Sequence, residues 1–155
     1  MARASRRFTL DTNLYIRGFR DADGARALER FHAAFAPFEY LSAIVMQELR
    51  SGALTSDAAR ALESNVFAPF DRRKRLVAPS AESWKLGGKV MSQLAAQNGI
   101  PVASMSRSFV NDVLLAATCR EHDLVLVTDN ARDFTAIRKR LVFDWVQPWP
   151  PTDYR

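Results

Sequence analysis

The stretch Leu124-Val125-Leu126-Val127-Thr128-Asp129-Asn130 decides the fold. Its apolar run, bounded by a turn signal, reads as a buried strand over Leu124 to Thr128. Immediately before it, Phe109 to His122 reads as a helix opened by Ser106 or Ser108. After it, Asp129 and Asn130 start a short helix ending near Arg140, and Leu141 to Val146 reads as a last strand. The first half of the chain has the same alternation. Arg7 to Leu10 is a short buried strand ending at Asp11, and a helix follows from about Ala22 to Ala36, with Leu28, Phe31 and Phe35 on its apolar face. Pro37 stops that helix. Phe38 to Leu41 is a brief strand, and Ser42 caps a helix running to about Ser51, with Gly52 beyond it. Thr55 caps a further helix, roughly Ser56 to Asn65. The run Asp71 to Arg75 is a charged turn, and Leu76 to Ala78 is a third strand. From Ser80 a helix runs to Asn98-Gly99, with Trp84, Met91 and Leu94 on one face. Strands alternating with helices predict an α/β domain, a central mostly parallel sheet flanked by helices. Such sheets bind ligands beyond the carboxyl ends of their strands, at a topological switch point.

Composition agrees with one globular domain. The chain has 155 residues, 48% hydrophobic and 25% charged, which excludes disordered and low-complexity classes. No internal repeat or linker divides it. The expected organisation is one domain over residues 1–146 and an irregular, proline-rich tail over 147–155. The 22 basic residues outnumber 17 acidic ones, giving a net charge of +5, and 18 of the 22 are Arg. Arginine suits bidentate contact with phosphate, so an anionic partner fits. A single cysteine, Cys119, excludes an internal disulfide framework and a CxxC site. No signal peptide or membrane-length apolar run is present, so a soluble, cytoplasmic protein is expected.

Four acids stand out. Asp11 ends the first strand and Asp129 follows the strongest one; if those strands are neighbours, the two carboxylates meet at one sheet edge. Each also suits a helix cap. Glu48 shares a helix face with Ile44 and Val45. Asp112 lies among Phe109, Leu115 and Ala116 on a nearly wholly apolar helix, where an unpaired carboxylate neutralises, pairs or binds a metal. Asp133 is a fifth candidate, in outer contact with a metal or complementing a helix start. Carboxylates ~4 Å apart repel by about 1 kcal/mol in water and about 4 kcal/mol at an effective dielectric of 20, so a cluster demands a cation. Oxygen ligands without Cys or paired His select Mg²⁺ or Mn²⁺ over Zn²⁺. Such ions activate water and stabilise in-line displacement at phosphorus. Thr12, Asn13 and Thr128 either orient these carboxylates or make local turn and cap bonds. His32 and His122 lack spaced partners and are expected in cap or surface roles.

The run FTLDTNLYIRG, residues 8–18, resembles the opening of PIN-domain ribonucleases: an Asp, a Thr or Ser, an Asn, then an apolar helix. SAIVMQELRSG, residues 42–52, resembles their second motif, with Glu48 as its acid. FVNDVLLAATCREHDLVLVTDNARDF, residues 109–134, resembles the third and fourth in order. The pattern is most similar to VapC-type toxins of bacterial toxin–antitoxin pairs. The resemblance implies a PIN-like three-layer domain and Mg²⁺- or Mn²⁺-dependent cleavage of RNA. It also implies a homodimer and an antitoxin that blocks the site. Asp11, Glu48 and Asp112 carry over as catalytic and metal-holding acids. The fourth position varies in the family; Asp129 is preferred here as the inner residue and Asp133 as outer or structural. For the homodimer, one shared apolar helical face is expected, motivated also by the aromatic load of Phe31, Phe35, Phe38 and Trp84.

Two other classes compete. A non-catalytic RNA-binding or regulatory PIN scaffold would have a degenerate site, whereas all four acids are present. A phosphatase with Asp11 as nucleophile needs a second Asp two residues on, where Asn13 stands.

Overall fold

The computed structural model describes residues 5–154. Five parallel strands form the central sheet: β1 (Arg7–Leu10), β2 (Glu39–Ser42), β3 (Leu76–Val77), β4 (Leu124–Val127) and β5 (Asp144–Val146), in the order β3-β2-β1-β4-β5. The helices are α1 (Thr12–Arg20), α2 (Ala22–Phe35), α3 (Ala43–Gly52), α4 (Ser56–Leu62), α5 (Ala68–Arg72), α6 (Ala81–Asn98), α7 (Arg107–His122) and α8 (Ala131–Arg138). They flank the sheet to give the three-layer α/β architecture. No described helix is long and apolar enough to cross a membrane.

Strand order puts the site where it is. From β1 the chain builds outward through β2 and β3, then returns to lay β4 on the other side of β1. The switch point therefore lies between β1 and β4, paired from Arg7↔Leu124 to Leu10↔Val127. Asp11 N–H donates to the Val127 carbonyl at 3.0 Å, which holds the two strand ends together. Every residue of β4 is buried, as its unbroken apolar run requires.

The core is continuous on both sides of the sheet. Phe8 meets Phe35 at a ring-centroid distance of 4.8 Å and Phe31 at 6.1 Å, edge-on. Such pairs contribute about 0.5–1.5 kcal/mol beyond area burial. Helices α1 and α2 form a tight hairpin, in which a Cβ at Gly24 would stand 2.5 Å from the Arg17 carbonyl oxygen. The segment after β5 packs on the domain: Trp149 lies 5.5 Å from Phe31, and Arg6 donates to the Tyr154 hydroxyl at 2.9 Å.

Several expectations are corrected. Helix α1 lies where periodicity assigns no element, although the Asp-Thr-Asn opening implied it. The helix from Ser56 continues past Asn65 through a π-helical segment, Glu63–Phe67, into α5, so the charged turn is shorter than its sequence suggests. The last strand is only Asp144–Val146, because Leu141 N–H still bonds the Ile137 carbonyl at the end of α8 and pairing with β4 begins at Asp144. On α6 the buried face is Ser83, Gly87, Val90 and Leu94, and Trp84 is 60% exposed. Val90 and Leu94, fully buried, fix that rotation, and the Ser83 hydroxyl on the same face donates to Glu121 on α7 at 2.6 Å. Phe31 and Phe35 are buried within this chain and Phe38 packs on its core, so three of the four aromatics that motivated a shared face are used inside the chain. His32 is neither a cap nor a bystander: its Nδ1 lies 2.6 Å from buried Glu39.

Candidate active site

Asp11 caps α1 at the end of β1. Its Oδ1 accepts from Thr12 N–H at 2.8 Å and its Oδ2 from the Thr128 hydroxyl at 2.7 Å. Thr128 itself accepts from Asn130 N–H at 3.0 Å, so the ends of β1 and β4 form one hydrogen-bonded unit. Asp11 is 4% exposed, and burial raises its carboxyl above the ordinary 3.8 against the lowering effect of those bonds.

Glu48 projects from α3 toward the same place. One oxygen accepts from the Thr12 hydroxyl and the other from Asn111 Nδ2 at 2.8 Å. Asp112, on α7, is 6% exposed, and its Oδ2 accepts from Asn130 Nδ2 at 3.1 Å. Its carboxyl is pushed up to about 8, first by burial, then by the charges of Asp11, Asp133 and Glu48. Asp11, Glu48 and Asp112 thus share one electrostatic neighbourhood. Their hydrogen-bond donors are hydroxyls, amides and backbone N–H groups, and among the described residues no Lys, Arg or His forms an ion pair with any of them.

The two candidates for a fourth acid separate. Asp133 accepts from Asn130 Nδ2 at 3.1 Å, so one amide bridges it to Asp112. Asp129 is engaged by the Arg17 guanidinium from α1. Asn13 is exposed on α1 and, among the described residues, bonds to none of the acids. Sequence reasoning missed Asn111, Asn130 and Arg17. Asn111 and Asn130 each adjoin a singled-out acid, and that adjacency was the available signal.

The donor set suits a hard cation: it is all oxygen, and its charge is not balanced by the chain. It is not a finished cage, since among the described residues no three Asp, Glu, His or Cys side chains stand together in metal-binding geometry. Neutral hydrogen bonds keep Asp11, Glu48 and Asp112 in place.

The fold has known counterparts. One is DNA-bound VapBC from Salmonella typhimurium: TM-score 0.64, 24% identity, covering 92% of this chain and 98% of that one. A second is FitAcB from Neisseria gonorrhoeae, with TM-score 0.67, 21% identity and coverage of 93% and 99%. A third, a toxin–antitoxin complex from Klebsiella pneumoniae, gives TM-score 0.62, 21% identity and the same coverage. No curated protein matches the sequence. The PIN domain family model matches residues 8–140, which include all five acids and every hydrogen bond that ties them. The chain belongs to the PIN domain family, whose members are generally hydrolytic nucleases.

Proposed function

We propose that the chain is a Mg²⁺- or Mn²⁺-dependent endoribonuclease and the toxin of a toxin–antitoxin pair. One observation carries the reading: Asp11, Glu48 and Asp112 share one electrostatic neighbourhood at the sheet's switch point, bonded to neutral donors, and among the described residues no Lys, Arg or His pairs with any of them. These three residues would hold the metal. Asp133 and Asp129 are the choices for a fourth acid. The Asn130 bridge favours Asp133, while Asp129 anchors Arg17 at the rim. A divalent cation bound there supplies Lewis-acid polarisation of a phosphoryl oxygen and acidifies a water.

The chain's own groups do the positioning. Thr128 and Thr12 N–H orient Asp11, the Thr12 hydroxyl and Asn111 orient Glu48, and Asn130 orients Asp112. Arg17 and Arg132 flank the acids and hold backbone phosphates, so RNA affinity falls steeply with salt. The test compares wild type, Asp11→Ala and Asp112→Ala on one RNA with Mg²⁺, Mn²⁺ or EDTA. Cleavage by wild type alone, abolished by EDTA, is expected. Mutants that cut as fast as wild type would refute the assignment.

Antitoxin binding draws on a second feature. An apolar cleft of about 490 Å³, lined by Ile16, Phe19, Leu49, Leu62 and Val66, opens beside Glu48. A partner segment lying there would reach the acids and silence them. Self-association is assigned to α6, where Trp84 is exposed. Light scattering that gives a 17.5 kDa particle at micromolar concentration would refute it.

The non-catalytic RNA-binding scaffold is the second reading. That no three Asp, Glu, His or Cys side chains among the described residues stand together as a ready-made cage favours it. A flat nuclease assay under saturating Mn²⁺ would select it.

A further inference from the structure

Next to Asp133 lies a second depression of about 370 Å³. It sits between the segment that joins α6 to α7, the first turn of α7 and the start of α8. Ile100, Met105 and Phe109 form its floor, each partly buried and packed against the core. Ser104, Ser106 and Arg132 line it with polar groups. Asp133 lines it too, and Asn130 ties Asp133 to Asp112, so this depression borders the acid cluster.

The free valences of the lining define what fits. Ser104 donates its hydroxyl proton to the Pro101 carbonyl at 2.8 Å and keeps its lone pairs. Ser106 accepts from Phe109 N–H at 3.1 Å and keeps its proton to donate. Arg132 has a side chain 95% exposed, with its nearest carboxylate oxygen 4.0 Å away, so its guanidinium is open to another anion. An apolar floor with one aromatic ring, Phe109, neutral donors and acceptors together, and one cation at the edge suit a flat apolar ring with a hydrogen-bonding rim and an attached phosphate. Unstacked RNA bases are held in this way, stacked on aromatic side chains and bonded along their edges. A divalent cation would find a single carboxylate here, and a bare polyanion would meet Asp133.

We propose that this depression is a nucleobase subsite, which takes the base of the ribonucleotide next to the phosphate held at the acid cluster. Phe109 is its stacking surface, Ser104 and Ser106 bond the base edge, and Arg132 binds the flanking phosphate. The inference rests on the ribonuclease reading for where the scissile phosphate lies, and it adds a source of nucleotide preference at one position beside the cut.

The test follows the amide resonances of the ¹⁵N-labelled full chain without metal. The probes are the four ribonucleoside 5′-monophosphates, ribose 5-phosphate and inorganic phosphate. At least one nucleotide at millimolar concentration is expected to shift the amides of Ser104 to Phe109 saturably. Ribose 5-phosphate and phosphate should bind there at least about tenfold more weakly. Ser104→Trp, which fills the depression from an exposed position, should remove the shifts while its own spectrum reports an intact fold. Arg132→Ala should weaken the nucleotide severalfold. The proposal is overturned if no nucleotide shifts these amides, if ribose 5-phosphate shifts them equally, or if folded Ser104→Trp responds as wild type does. Because nothing is cut, the two ideas fail separately. Base binding here in a protein that cleaves no RNA would sink the nuclease reading alone. Cleavage with no nucleotide at this depression would sink the subsite alone.

Discussion

Helix α7 carries two carboxylates whose chemistry runs in opposite directions. Asp112, near its start, is buried beside other acids, and its carboxyl is pushed up to about 8. Glu121, near its end, is drawn down to about 2 by hydrogen bonds from Ser80 and Ser83, which open α6. The same helix thus holds one acid whose charge the fold welcomes and one whose charge it resists. An acid that serves architecture is surrounded by donors that favour its ionised form. Asp112 has one neutral amide and three acidic neighbours, an arrangement that favours its charge only when a cation is supplied from outside.

The largest expected effect is on cleavage. Asp112→Asn should lower single-turnover RNA cleavage in Mn²⁺ by more than about a hundredfold, beyond the loss that follows removal of an outer partner. Glu121→Ala should leave the rate unchanged. Equal losses in the two variants would erase the distinction between them.

Next comes the stability of the metal-free protein. Folded Asp112 keeps its proton up to about pH 8, whereas its ordinary value is 3.8. Between those limits the folded state binds more protons than the unfolded one, so this residue makes stability fall as pH rises. Asp112→Asn should therefore stabilise the metal-free chain at pH 8, by on the order of 2 kcal/mol, and add little at pH 4. Urea unfolding in EDTA at the two pH values reads the difference. A destabilised variant at pH 8 would contradict the sign.

The fourth acid sharpens the contrast on a finer scale. Asp133→Asn should weaken Mn²⁺ binding by about tenfold. Asp129→Asn should leave it nearly unchanged and raise KM for RNA, because Arg17 loses its anchor. The reverse ranking in calorimetry would move Asp129 into the metal site.

The smallest effect belongs to Glu121. Its depressed carboxyl contributes stability that is present above its ordinary value of 4.5 and lost as pH falls toward 2. Glu121→Ala should cost about 1 kcal/mol at pH 7, since the group is largely exposed, and nothing near pH 2. Urea midpoints at both pH values test this.

Much of the fold was legible because its signals are local. The apolar run of β4 is buried throughout, and Ser42, Thr55, Ser80 and Ser106 cap the helices expected of them. Gly99 ends α6 with φ +67°, the left-handed conformation that favours glycine. Asp112 was readable because an acid on an apolar helix conflicts with its surroundings. What escaped depends on long-range polar pairing. Trp84 faces outward because α6 buries Ser83, Gly87, Val90 and Leu94 instead, and Ser83 is bonded to Glu121, 38 residues away, a bond of which hydrophobic periodicity carries no trace. Arg17 and Asp129 meet across 112 residues, and Asn111 reaches Glu48 across 63. Helix α1 is short and buries only Thr12, Leu14 and Tyr15, too few positions to set a helical period.

The account stands on the acid cluster being a cation site, and a calorimetric titration of Mn²⁺ into the metal-free chain at pH 8 tests that most directly. Wild type should bind saturably, and Asp112→Asn should bind at least about tenfold more weakly. Equal affinity in the two proteins, or no binding heat in wild type, would contradict it.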